Sequence, residues 1–343
     1  MMVIKGIVKT IIAGVVAVAI LSGIMCFYSI TPLHHENHNG NTDYIWTPNS
    51  IWIKFTEGIS WGRFDSDGYN NPKVITNPDI IILGSSHMEA LNVFFKDSLC
   101  GQLMDMFKNQ YNVYNLGISN HNFAKVCQYL PVNLGQYDEP PKVTLIEAAN
   151  LRLSESKVEM IMNNEVERTP SYDTGIIAMM QRVPFTRCLY RQIESGLLMV
   201  FMTSRDDENR RNDDEEIFSQ DGNISEAAYD QLFKYLSALE SEYGTQIVIF
   251  NHPKGTIDED GSISFSNDEA LKLFGRYAKK YNIDFIDMTS AFEEMYYYDH
   301  FLPHGFVTGR IGYGHLNAHG HAAIAKELYC QIKKMEEEGV ICK

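Results

Sequence analysis

Positive charge is scarce in this chain, and so are paired cysteines, internal repeats and long apolar runs. Lys and Arg number 29 against 44 Asp and Glu, a net charge of −15 over 343 residues. Binding nucleic-acid phosphates needs a basic face, so that class of function is excluded. The six cysteines (Cys26, Cys100, Cys127, Cys188, Cys330 and Cys342) form no CxxC pair. Spread so thinly, they are not a disulfide framework and read mostly as small buried hydrophobes. Only one stretch is long and uncharged enough to cross a bilayer, which excludes a multi-span transporter or channel.

What is present is an ordinary globular composition, 45% hydrophobic and 21% charged. That is enough apolar material for a core, and the length allows one large domain or two modest ones. The single apolar run lies between Ile11 and Thr31, after Lys5 and Lys9, and no further basic residue follows until Lys54. About twenty apolar residues span the roughly 30 Å hydrocarbon core. The charge asymmetry predicts a cytoplasmic N-terminus and an exported body. A cleaved signal peptide at Ala17-Val18-Ala19 is the rival reading, disfavoured because apolar residues continue to Ile30. A lipoprotein site at Cys26 is disfavoured by the bulky Met25 before it.

Residues 1–31 are therefore expected to be a cytoplasmic tip and transmembrane anchor, and 32–77 a juxtamembrane linker or arm. His34, His35 and His38 of that arm are read as solvated. Beyond it, five short apolar runs alternate with helical patterns. The runs are Asp79–Leu83, Asn112–Leu116, Val143–Glu147, Gln246–Phe250 and Ile283–Asp287. The helical patterns are Glu89–Phe107, Asn122–Leu134, Ser225–Tyr243, Asp268–Tyr281 and Ala318–Met335. Near-continuous β-branched runs separated by helices predict a parallel five-stranded sheet covered on both faces, a flavodoxin-like three-layer α/β sandwich over 78–337. The interval 151–240 is too long for a simple crossover and is read as a helical insertion or lid; 338–343 is a tail. The acidic run from Asp206 to Glu216 reads as a solvated loop, its spacing fitting no calcium motif.

Ligands of an open parallel sheet bind at the carboxyl ends of its strands. The tips carry Gly84-Ser85-Ser86-His87, Asn115-Leu116-Gly117, Glu147-Ala148-Ala149-Asn150 and Asn251-His252-Pro253-Lys254, with Gly314-His315-Leu316-Asn317-Ala318-His319-Gly320-His321 entering the last helix. Each is weak evidence alone, since Gly-x-Ser before a helix is ordinary cap chemistry. In the order serine, glycine, asparagine, histidine they supply a nucleophile, oxyanion donors and a base, the parts that acyl transfer needs.

In these blocks the chain resembles the SGNH (GDSL-like) hydrolase superfamily, over about 78–334 apart from the insertion. The resemblance implies Ser86 as nucleophile, His315 as base, and an oxyanion hole from Ser86, Gly117 and Asn150. Neither a metal nor an organic cofactor is called for. The family places an aspartate three residues before the base; here that position is Gly312, and Asp299 and Asp287 are the candidate replacements. A metal site at His315, His319 and His321 is a rival reading. The resemblance further implies a serine esterase or O-acyltransferase acting on acyl groups of envelope polysaccharide, with a multi-span membrane acyltransferase as a partner. The absent aspartate motivates an alternative, a non-catalytic glycan-binding or scaffold subunit.

Overall fold

The computed structural model describes residues 2–26, 34–37, 39–55, 57–108, 110–164, 224–265 and 269–341. Five strands form one parallel sheet: β5 (Ile80–Leu83), β6 (Val113–Asn115), β7 (Val143–Glu147), β8 (Gln246–Phe250) and β9 (Asp284–Ile286). Across the sheet they run β6, β5, β7, β8, β9. The order reverses direction beside β5, the switch point where doubly wound sheets open a crevice at their carboxyl edge. All five coincide with the apolar runs read from the sequence; four of them are buried on both faces, which leaves a near-continuous apolar signal, whereas the edge strand Asp284–Ile286 is half-buried.

Alternate residues of β5 feed two cores. Ile81 and Leu83 face α4 (Phe123–Gly135), α6 (Glu226–Tyr243) and α7 (Glu269–Lys280), through Leu130, Phe233 and Phe274. Ile80 and Ile82 face α3 (Leu99–Met106), α8 (Thr289–Glu294) and α9 (Ala318–Glu337), through Leu103, Phe292 and Leu328. The three-layer expectation is met by these two cores. A further short helix, α5 (Glu155–Met162), opens the interval read as an insertion. Its residues 165–223, with the acidic run and Cys188, lie outside the described residues.

The helix expected over 89–107 is broken. It becomes one turn, α2 (Ser86–Glu89), ending at Ala90 with φ +56°, then a 3₁₀ turn at Phe95–Asp97, then α3 capped by Ser98. Tertiary contacts compete for the backbone there. Asn70 Nδ2 donates to the Glu89 carbonyl and Ser60 Oγ to that of Leu91, oxygens a continuing helix would have used internally.

The residues supplying those contacts belong to the segment expected to be a juxtamembrane linker or arm. It is a folded arm, built from the antiparallel pairs β1 (His34–Glu36) with β2 (Tyr44–Trp46) and β3 (Ile51–Lys54) with β4 (Ser60–Arg63). Trp46, Trp52 and Phe64 are buried with Leu91 as a third core. His34 is not simply solvated: its ring lies 3.8 Å from that of Trp46 and 4.1 Å from that of Tyr44. Polar anchors fasten the arm. The buried Asp43 meets His121 at 2.7 Å and Lys125 at 2.9 Å. Asp65 accepts from Tyr114 Oη at 2.8 Å and from the Tyr69 N–H at 2.9 Å.

N-terminal to the arm is α1 (Met2–Cys26). Its apolar side chains from Ile7 to Leu21 are exposed. Among the described residues no helix is long and apolar enough to cross a membrane. Cys100 and Cys127 are buried as expected, whereas Cys330 is exposed.

Candidate active site

The turn after β5 is shaped by two serines with different tasks. Ser85 caps α2, its Oγ accepting the His87 N–H. It also ties the turn to β7: the Ser85 N–H donates to Glu147 Oε2 at 2.5 Å and its Oγ to Oε1 at 2.9 Å. Ser86 is thereby the first helical residue, half-buried at the carboxyl edge. His315, on the loop before α9, reaches it from across the sheet, with Nε2 at 2.8 Å from Ser86 Oγ. Asn317 secures that loop by capping α9 at the His319 and Gly320 N–H groups while donating to the carbonyls of Leu302 and Gly305.

The far nitrogen of the His315 ring carries a carboxylate, but neither of those expected. Glu57, from the loop between β3 and β4 in the arm, brings Oε2 to 2.7 Å from His315 Nδ1 and accepts the His315 N–H through Oε1, also at 2.7 Å. Asp287 is engaged elsewhere, its Oδ1 accepting from the Thr289 N–H and Oγ1–H and from Asn251 Nδ2 at 3.0 Å. Asp299 is an exposed residue ending the turn after α8. Two glycines explain the exchange. Gly312 has φ +79°, a conformation in which an aspartate is strained. Gly314 has φ +91°, and a Cβ there would lie 2.1 Å from Glu57 Oε1. The loop makes room for a carboxylate arriving from outside instead of carrying its own.

Burial works to raise the Glu57 carboxyl. Hydrogen bonds from the His315 ring and backbone outweigh it, helped by the charges of His315 and Lys54, and hold the group below its ordinary value of 4.5. The carboxylate is thus kept ionised against the imidazole, which fixes the ring with Nδ1 protonated and Nε2 turned to the serine.

The expected oxyanion residues fare unevenly. The Gly117 N–H already donates to Asn115 Oδ1 at 2.9 Å. Its need for glycine comes from packing: a Cβ would stand 2.5 Å from the backbone of Met88 and Glu89 in α2. Asn150 is half-buried after β7, its Oδ1 accepting the Arg152 N–H at 2.9 Å. The histidines weighed as metal ligands are not gathered: His319 is exposed and stacked on Phe301 at 3.7 Å, and His321 is buried with Nδ1 accepting the Leu99 N–H.

Beside the Ser86–His315 pair, with the His87 ring 5.0 Å from that of His315, lies a largely buried group that sequence reasoning missed. Glu147 Oε1 meets His252 Nε2 at 2.5 Å; His252 Nδ1 lies 3.3 Å from His304 Nε2; His87 Nδ1 accepts the Leu316 N–H at 3.1 Å. Glu147 and His252 stand at strand tips, a signal that was available, whereas nothing in the local sequence marked Glu57 or His304.

The fold and this edge define an α/β protein with a serine–histidine–carboxylate chain at the switch of a parallel sheet. No family model and no curated protein matches the chain. Among solved structures it is similar to an acetyl xylan esterase, AlAXEase, at 12% identity over 74% of this chain and 99% of that one, TM-score 0.39. It is similar to TesA at 11% identity over 75% and 98%, TM-score 0.38. LAE5, an alpha/beta hydrolase enzyme from the metagenome of Lake Arreo, Spain, matches at 14% identity over 75% and 95%, TM-score 0.39.

Proposed function

We propose that this chain is a serine-dependent ester hydrolase or O-acyltransferase of the SGNH type. The observation that carries the reading is the hydrogen-bonded line Glu57–His315–Ser86, with 2.7 and 2.8 Å links. In the proposed reaction Ser86 Oγ attacks the ester carbonyl carbon while His315 Nε2 takes its proton. The tetrahedral oxyanion collapses, the C–O bond to the leaving alcohol breaks, and His315 returns the proton to that oxygen. Water or a sugar hydroxyl then attacks the acyl-enzyme by the same route in reverse. Glu57 stays ionised, holding the ring and stabilising the imidazolium. The Ser86 N–H and the Asn150 side-chain amide are the proposed oxyanion donors, the Gly117 N–H being engaged.

The scaffold alternative drew on the aspartate missing at Gly312, and Glu57 removes that motive. We further propose that the apolar run from Ile11 to Thr31, which continues beyond α1, anchors the chain, with the N-terminus cytoplasmic and the α/β body outside. Lys5 and Lys9 before the run support that orientation, and the exposed apolar side chains of α1 support the anchoring. A body so held suits an acyl ester on envelope polysaccharide, presented directly or by a multi-span acyltransferase partner. The test is a fluorophosphonate probe, which labels activated serines. The wild-type chain is expected to label stoichiometrically and Ser86→Ala not at all. A folded wild type that stays unlabelled overturns the reading.

A further inference from the structure

Glu147 ends β7 with its side chain buried, and its carboxylate accepts three hydrogen bonds. The Ser85 N–H donates to Oε2 at 2.5 Å, while the Ser85 Oγ–H and the His252 Nε2–H reach Oε1 at 2.9 and 2.5 Å. Behind the buried His252, the buried His304 places Nε2 at 3.3 Å from His252 Nδ1. We propose that Glu147, His252 and His304 are a second, buried line of positioning residues. Its carboxylate fixes the Ser86 N–H as an oxyanion donor and, through the two rings, keeps Ser86 and His315 in register. This role presupposes the serine reading and brings to it three residues outside the Glu57–His315–Ser86 line.

One end of the line holds the nucleophile turn. Its two bonds to Ser85 clamp that residue's backbone and side chain together. The Ser85 carbonyl takes the N–H groups of Met88 and Glu89 at 3.0 and 2.9 Å. In a planar trans peptide the following N–H points opposite to that carbonyl. The Ser86 N–H is therefore turned away from the hydrogen bonds of α2 and held there. A donor that need not reorganise as charge develops is what stabilises an oxyanion. Gly84 shows how closely the carboxylate is seated, since a Cβ there would stand 2.3 Å from Glu147 Oε2.

The other end holds the base loop. His304 pairs with Leu316 in an antiparallel bridge, and the Gly305 N–H donates to the His315 carbonyl at 2.9 Å. A displaced His304 would carry the backbone of His315 with it. Among the described residues, none of the three hydrogen-bonds to Ser86 or to the His315 ring, so they position and do not react. The clamp also needs its charge. An ionised carboxylate only accepts, which matches three donors, whereas a carboxamide would turn an NH₂ group on one of them. His252 fits the same direction: with Nε2–H on the carboxylate, the neutral ring leaves Nδ1 to accept the His304 Nε2–H.

The experiment follows hydrolysis of p-nitrophenyl acetate by the full chain across pH, beside thermal melts and fluorophosphonate labelling. Glu147→Gln is expected to lower kcat about 10²-fold, the scale of a lost oxyanion donor, with KM little changed. The acid limb of its pH–rate profile reports the base and is expected to stay at the wild-type position, because Glu57 still serves His315. His252→Gln keeps an N–H for Glu147 and is expected to lose less than His252→Phe, which offers none. Should Glu147→Gln fail to fold by circular dichroism, Ser85→Ala decides. It removes one of the two Ser85 links and is expected to lower kcat about tenfold at unchanged KM. Folded variants with wild-type kcat overturn the positioning line and leave the serine reading standing, as do equal losses in the two folded His252 variants. A fall in kcat with a displaced acid limb also overturns it, since Glu147 would then act on the base. A wild type that neither labels nor turns over the ester overturns both readings.

Discussion

At the scale of single residues, the decisive group is Glu57, whose carboxylate takes both the ring Nδ1 and the backbone N–H of His315. Glu57→Gln keeps the shape but removes the charge that holds the tautomer, and turnover of a model ester is expected to fall about 10²–10⁴-fold. Stability carries a separate signature. Because the Glu57 carboxyl is held below 4.5 in the fold, its pairing contributes fully above that pH and is lost as pH falls through the lower folded value. The gap in denaturant midpoint between wild type and Glu57→Gln is therefore expected to shrink below pH 4.5. Gly312→Asp tests the loop directly. If a local aspartate were all that is missing, it would raise activity. With φ at +79° it is expected instead to lower stability by about 1–2 kcal/mol with no gain in rate, read by urea titration beside an ester assay.

At the scale of elements, the arm over 34–77 is part of the site. It carries the Glu57 loop, and it ends α2 after one turn by taking the carbonyls of Glu89 and Leu91. Its hold on β6 runs through Asp65, which accepts from Tyr114 Oη, Asn71 Nδ2 and the Tyr69 N–H. Asp65→Ala leaves those buried donors unpaired, and a loss of about 2–3 kcal/mol is expected. Fluorophosphonate labelling at Ser86 is expected to slow in the same variant, although Asp65 touches no residue of the line. Slowed labelling with an unchanged melting temperature would contradict the coupling of arm stability to the site. The strands were legible in the sequence because burial on both faces writes an aliphatic run. The arm was not, since its strands are short and its anchors are single polar residues paired far along the chain.

At the scale of the whole molecule, the proposal separates into a body and a helix. The full chain is expected to float with phosphatidylglycerol-containing vesicles in a density gradient. A chain starting at residue 34 is expected to stay below them, and both are expected to label at Ser86. A full chain that does not float would overturn anchoring and leave the serine chemistry standing. The sheet, its strand boundaries and the Ser86–His315 pairing follow from local pattern and motif, because a β–turn–α edge places strand-tip residues together wherever the alternation is right. Which carboxylate serves His315, why an aspartate at Gly312 would be strained, what Gly117 does, and the meeting of His87, His252 and His304 were decided only in three dimensions. Each depends on loops that are distant in sequence and brought within a few ångströms by packing, and no local pattern encodes such a distance.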